Sequence, residues 1–257
     1  MPLPAGFVSV QDVPPRSPRR LSALAAALRA GARRAPFVED EVLGLDTLIG
    51  PGAVCIDVGA EFGLYTWSLA DLVGSAGAVH AVEPQPDLGR LLRFGRGLVG
   101  ARNVTVHRLA LGDAPGAGHL SQPSRGFVRV RGRTFLADGT SGLGSNAEFR
   151  RHRSIAVRVD TLDDLVRRLR LPRLDLVKAD VEGAEDRLLA GAGATLERFR
   201  PHLLLELEDR HLERFDTSVD VVVERLKDLG YTPSHWEPDG WQPGILGRNV
   251  LFRAPAA

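Results

Sequence analysis

The chain has 257 residues, 44% of them hydrophobic and 25% charged, a globular composition with ample material for one full core. Its net charge of +1 leaves no global field to draw it to nucleic acid or an anionic membrane. Apolar runs well short of the roughly 20 residues of a spanning helix argue against a membrane-embedded chain.

Residues 1–18 carry five prolines, Pro2, Pro4, Pro14, Pro15 and Pro18, and no apolar period, which predicts an extended arm. Residues 19–34 set Leu21, Leu24, Ala25 and Leu28 on one helical face beside Arg20, Arg29, Arg33 and Arg34. This is a basic amphipathic helix. Such a helix can touch an anionic membrane or RNA; the expectation here is a cap on the domain or a wall of a substrate cleft. A helical turn over 41–48 leads to the breaker Pro51-Gly52. Residues 1–48 thus form an arm and helical cap, and 49–257 the main domain.

From residue 53 onward strands and helices alternate. Strands are predicted at 53–57, 78–82, 103–107, 174–179, 202–207, 231–236 and 249–252, with helices at 62–73, 86–98, 183–198 and 219–229. That order requires parallel strands joined by crossovers, an α/β doubly wound sheet with helices on both faces. The runs VCIDV and LDLVKA suit strands buried on both sides. One segment, 116–159, breaks the rhythm. Its alternating stretches at 127–135 and 154–159 surround the loop GTSGLGSNAEF, an antiparallel insertion of the sort that covers a site. No internal repeat appears.

The only cysteine, Cys55, lies inside the first strand and reads as a small buried hydrophobe. With no disulfide possible and no charged-then-apolar leader at the start, the expectation is a cytoplasmic protein.

Ligands of a doubly wound sheet bind outside the carboxyl ends of its strands. Those ends carry Asp57 with a glycine loop, Glu83, Ala110-Leu111-Gly112, Asp180 with Glu182, and Glu206 with Glu208. DVGAEFG lacks both the dinucleotide GxGxxG spacing and the Lys-Ser/Thr ending of a P-loop. Glu83, at the end of the second strand, is placed to accept hydrogen bonds from a ribose diol. A ribose clamp without a phosphate cradle points to a nucleoside such as S-adenosylmethionine.

The pieces PGAVCIDVGAEFGLYT, AVHAVEPQPDL, NVTVHRLALGD, VDTLDDL, DLVKADVEGAEDRLL and PHLLLELE stand in an order that resembles the FkbM family of S-adenosylmethionine-dependent methyltransferases. The resemblance covers most of the chain. It implies a Rossmann-like class I fold, a seven-stranded sheet whose last strand is antiparallel and is supplied by LFRAPAA, and methyl transfer to oxygen on a sugar or other small molecule. It assigns cofactor contacts to Asp57, Gly59, Ala60, Glu61, Gly63, Tyr65, Glu83, Pro84, Ala110, Leu111 and Asp180. Glu61 departs from the family's usual asparagine, and Ala179 is a smaller departure.

A hydroxyl acceptor benefits from a base. Asp180 is the first candidate, with Lys178 one level deeper on the same face of the strand; His152, and after it His211, are further candidates. All but two of the 33 basic residues are arginine, which makes Lys178 conspicuous. Alternatively Asp180, Glu182, Glu206 and Glu208 could hold a magnesium ion. The expected partner is a small-molecule acceptor, with no nucleic acid or membrane and with a homodimer open. A carboxylate or peptide acceptor, or a non-catalytic nucleotide binder, are the alternative readings. Trp236 and Trp241 flank a hairpin that could close over a ligand.

Overall fold

The computed structural model describes residues 17–34, 39–126 and 128–254. The proline arm up to residue 16, Phe127 and the last three residues of LFRAPAA lie outside them. The first helix, α1 (Arg19–Ala32), is followed by a 3-10 segment, Asp40–Thr47. Then come β1 (Val54–Val58), α2 (Leu64–Val73), β2 (Ala78–Val82), α3 (Pro86–Val99), β3 (Val104–His107) and the two-residue β4 (Ala110–Leu111). The insertion contributes β5 (Gly116–Arg125), β6 (Val128–Arg129), β7 (Phe135–Leu136) and β8 (Arg151–Asp160). After it follow α4 (Leu162–Leu169), β9 (Leu176–Ala179), α5 (Glu185–Ala190), α6 (Gly193–Phe199), β10 (His202–Glu206) and α7 (Asp209–Leu212). The described chain closes with α8 (Val219–Asp228), β11 (Thr232–Glu237), β12 (Gly240–Pro243) and β13 (Asn249–Arg253).

The main sheet runs β12-β11-β13-β10-β9-β1-β2-β3. Its centre is parallel, β1 lying between β2 and β9, and β13 enters antiparallel beside β10. The expected seven strands are eight, because the hairpin partner β12 adds an outer strand. All five residues of β1 are buried, as a strand covered on both faces requires. Two apolar layers sandwich it. One joins Ile56, Val58 and Val177 to Leu165, Leu188, Leu196 and Val222 of α4, α5, α6 and α8. The other joins Cys55 and Val79 to Leu21, Leu69 and Leu92 of α1, α2 and α3.

Four local expectations change. The predicted helix over 183–198 is two, broken at Gly191, where a β-carbon would stand 2.1 Å from the carbonyl oxygen of Gly112. The second half is capped from a distance: the Asp163 carboxylate accepts from the amides of Ala194 (3.0 Å) and Thr195 (2.7 Å), satisfying two of the donors that a helix start leaves open. The insertion's alternation belongs to β5 and β8, which pair antiparallel from Gly116↔Val159 to Ser124↔Arg151, and not to 127–135. Ala110-Leu111 is not a free loop, since it pairs in parallel with Val159 and Asp160. Finally, Trp236 and Trp241 face each other across the β11–β12 hairpin with centroids 5.3 Å apart. They grip Gly44, whose carbonyl accepts from the Trp241 indole at 3.1 Å, so the two rings of the hairpin clamp the 3-10 segment.

Candidate active site

The turn after β1 is built by contact with the next strand end. Gly59 has φ +76°, and a β-carbon there would lie 1.8 Å from the carbonyl oxygen of Asp180. Its amide and that of Ala60 donate to the carbonyl of Val82 at 2.9 and 3.2 Å. Three strand ends are thereby locked together at one point. Glu61 also takes a left-handed conformation, φ +44°, where a short asparagine is more at ease than glutamate. Gly63, φ +88°, precedes α2 at the spot where a β-carbon would strike the Trp67 indole.

Glu83 is held by this turn. One carboxylate oxygen accepts from the Glu61 amide at 2.9 Å and the other from the Gln85 amide at 2.7 Å. Each oxygen keeps a further lone pair, so an incoming diol meets a carboxylate already aimed. Burial pushes the Glu83 pKa up to about 7, against the lowering effect of those two amide bonds.

Two clefts meet at the Gly59–Asp180 contact. The first is lined by Glu83 and Pro84, by Ala110 and Leu111, and by Val181 and Ala184, with Leu120, Thr134 and Leu136 of the insertion facing them. Apolar walls from Leu111, Leu120, Leu136 and Val181 face each other, and Glu61, Glu83, Asp180 and Glu182 complete the lining, an arrangement suited to a flat heterocycle carrying a ribose. The insertion is anchored there by Gln122, whose side-chain amide donates to the Gln85 side chain at 2.7 Å. Sequence reasoning missed Gln85, although it lies within AVHAVEPQPDL, and also Leu120, Gln122 and Leu136, whose only signal is alternation in a segment without a motif.

The second cleft is lined by Leu28, Glu39, Asp57, Ala60, Glu61, Phe62, Leu64, Tyr65, Lys178 and Asp180. Oxygens of Glu39, Asp180 and Glu206 lie within 4.8 Å of one another. The carboxyl groups of Asp180 and Glu206 are hydrogen-bonded. Burial, and then the Asp180 charge, push Glu206 up to about 9. Burial also raises Asp180, to about 6, with Lys178 and the Glu206 hydrogen bond opposing. The two groups titrate as a pair, and burial with their mutual charge makes that pair hold a proton more tightly than two separate carboxyls would. Arg248 reaches Glu206 at 3.0 Å and Glu39 at 3.2 Å. Lys178 is buried; its ammonium lies 5.0 Å from the Tyr65 ring centroid and donates to Asn249 at 3.3 Å. Burial alone would lower its pKa, but Glu39, Asp180, Glu206 and Asp57 outweigh it and hold the amine charged. Asp57 accepts from the Thr66 hydroxyl, and burial lifts it to about 6.

The other candidates are placed elsewhere. His152 sits in the insertion with its ring nitrogens 2.9 Å from the Ser121 hydroxyl and 3.2 Å from the Phe149 carbonyl, and it lines neither cleft. It is a strand-pairing residue, too far into the second sheet to serve as a base. His211 is buried 3.4 Å from Glu182, with its pKa lowered to about 4 by burial and by Arg214. Of the four carboxylates expected to bind a metal, Asp180 and Glu206 converge; Glu182 is drawn to His211 and Arg214, and Glu208 to Arg210. Glu39 takes their place. Arg248 and Lys178 already compensate this charge, so the set does not fit a magnesium ion.

The sequence profile of the FkbM methyltransferase domain matches residues 57–233. Among solved structures, an FkbM methyltransferase from Methylobacillus flagellatus superposes with a TM-score of 0.51 and 16% identity, over 80% of this chain and 44% of that one. The fibrillarin of Aeropyrum pernix with bound S-adenosyl-L-methionine gives a TM-score of 0.44 and 14% identity, over 91% and 74%. Among curated proteins, the AMB antimetabolite synthetase AmbE of Pseudomonas aeruginosa is 29% identical over 221 residues, 76% of this chain and 10% of that protein. The chain therefore spans about a tenth of that relative's length and under half of the Methylobacillus chain. With the doubly wound sheet and the strand-end cleft described above, the match over 57–233 shows that the chain belongs to the FkbM family of S-adenosylmethionine-dependent methyltransferases, with the class I fold.

Proposed function

We propose that the protein transfers a methyl group from S-adenosylmethionine to a hydroxyl of a sugar or specialised metabolite. The observation that carries this reading is geometric: Asp180, clustered with Glu206 and Glu39, lines both a nucleoside-shaped cleft and an acid-lined one. The residues fit the cofactor: Glu83 would hold the ribose diol, Leu111 and Leu136 would flank the base, and Asp57 with Glu61 would face its amino acid end. The cofactor supplies an activated methyl on a sulfonium that leaves as a neutral thioether. Asp180 accepts the hydroxyl proton, and Glu206, donating to Asp180, sets how basic it is. Fixing donor and acceptor in line can supply up to roughly 7–11 kcal/mol of the barrier lowering.

The second cleft also favours a hydroxyl over a carboxylate acceptor. Beyond the residues that would face the cofactor, Glu39 and Asp180 line it against the single ammonium of Lys178, and an excess of like charge in a buried site disfavours an anion. The likeness to an antimetabolite synthetase suits an acceptor from specialised metabolism. The test is calorimetric titration with S-adenosylmethionine, followed by transfer of a radiolabelled methyl to panels of sugars, polyols and carboxylic acids. Failure to bind the cofactor overturns the enzyme reading; labelling confined to carboxylic acids overturns the hydroxyl reading.

A further inference from the structure

Beside the acceptor cleft, α3 leaves an apolar face exposed among the described residues. Phe94 is 70% exposed, Leu98 57% and Leu91 46%. At 3.6 residues per turn these three fall within an arc of about 60° on one side of the helix. On that side Trp67 fills the space beside Gly95 and donates its indole N–H to the carbonyl of Phe62 at 3.2 Å. Phe62, itself 57% exposed, extends the strip to the mouth of the acid-lined cleft, where it is a wall residue. The strip has a basic border. Arg90, about 40° round the helix from Phe94, and Arg93 beyond it are exposed, and Arg20 reaches across from α1 to the Leu98 carbonyl at 3.4 Å. The nearest acid on α3, Asp87, is taken by Arg129 and Arg131.

We infer that this face seats the protein on an anionic lipid surface, with Phe62, Leu91, Phe94 and Leu98 entering the headgroup layer and the arginines meeting lipid phosphates. A helix that shows an apolar stripe beside a basic one lies in the plane of such an interface. The stripe is a convex ridge, which a deformable headgroup layer accommodates without a matching groove. Pairing α3 with its own copy would set Arg90 and Arg93 against each other, which opposes a self-interface. The chain's overall neutrality hides this arrangement because the compensating acids lie elsewhere in the chain, Asp87 being the one acid on α3. The orientation, cleft mouth toward the lipid, rests on the acceptor-cleft reading above, and it suits an acceptor whose hydroxyl-bearing head is attached to an apolar chain.

The test is co-sedimentation of the full chain with vesicles of phosphatidylcholine alone or mixed with phosphatidylglycerol. Binding is expected only with the mixed vesicles and should weaken as salt is raised. Phe94→Ser with Leu98→Ser, and separately Arg90→Glu with Arg93→Glu, should each lower vesicle affinity by about tenfold or more. None of these residues lines a cleft, so S-adenosylmethionine affinity and the thermal midpoint should stay as in the parent. Absence of vesicle binding by the parent chain overturns the inference, and so does binding that neither pair of substitutions weakens. A solution mass that halves in the Phe94→Ser, Leu98→Ser variant overturns it in favour of a self-interface. A parent chain that binds vesicles but not the cofactor would sink the methyltransferase reading and leave the lipid face standing.

Discussion

The carbonyl oxygen of Asp180 occupies the place where any β-carbon on Gly59 would have to be, 1.8 Å away. The glycine loop after β1 is thus shaped first by the neighbouring strand end and only then by its ligand. That changes what a substitution there reports. Gly59→Ala should destabilise the fold, since a left-handed turn costs about 1–3 kcal/mol for an ordinary residue before the clash is counted. The expected outcome is a lower thermal midpoint together with lost cofactor binding; an unchanged midpoint would show that the turn opens at no cost.

Glu83 is the cleaner probe of the cofactor. Glu83→Gln keeps the shape and the acceptor of one backbone amide but loses the charged acceptor for a diol. A hydrogen bond to a charged group contributes about 1.5–3 kcal/mol, so affinity for S-adenosylhomocysteine should fall about tenfold to a hundredfold by calorimetry. A change below twofold would place the ribose elsewhere.

Asp180 and Glu206 should separate chemistry from binding. Asp180→Asn removes the proposed base, and turnover should fall by about 10² to 10⁴ while cofactor affinity changes little. Because Asp180 is raised to about 6, turnover should decline as pH drops through that value and the base becomes protonated. Glu206→Gln should displace this acidic limb, since it alters the donor on which Asp180 relies; a limb that does not move would remove Glu206 from the mechanism.

Stability should have an unusual pH profile. Burial raises Asp57 to about 6, Glu61, Glu83 and Glu185 to about 7, and Glu206 to about 9. Each of these groups binds its proton more tightly folded than unfolded. The folded state therefore holds more protons between their unfolded values near 4.5 and these raised ones, and unfolding free energy falls as pH rises through that window. The thermal midpoint should climb as pH is lowered from about 9 towards 6; a midpoint rising with pH over that range would contradict the burial of these carboxylates.

The insertion can be tested through Gln122. Gln122→Ala leaves the buried Gln85 side-chain carbonyl with only the longer bond from the Thr134 hydroxyl, 3.3 Å, and the lost hydrogen bond should cost about 0.5–1.5 kcal/mol. It also loosens the wall formed by Leu120 and Leu136. Cofactor affinity should fall with it, whereas Asp163→Ala, remote from both clefts, should cost about 0.5–2 kcal/mol of stability through the lost α6 cap and leave affinity alone.

The sequence by itself determined the order of strands and helices and the residues at the strand ends. Period-two and period-3.6 patterns, and a glycine turn ending in a helix, are local consequences of burial and backbone freedom, so Asp57, Glu83, Asp180 and Glu206 could all be read as neighbours on one edge. Tertiary structure decided which of these carboxylates meet. Glu39 joins Asp180 and Glu206 from across 141 positions of chain, while Glu182 and Glu208, adjacent in sequence, are turned away by Arg214, His211 and Arg210. It also decided that His152 pairs strands, that Trp236 and Trp241 grip Gly44, and that the apolar flank of α3 stays uncovered. The physical reason is the same each time. A charge or an apolar side chain finds its partner through space, and the pairing energy depends on distance and burial, which spacing along the chain does not encode.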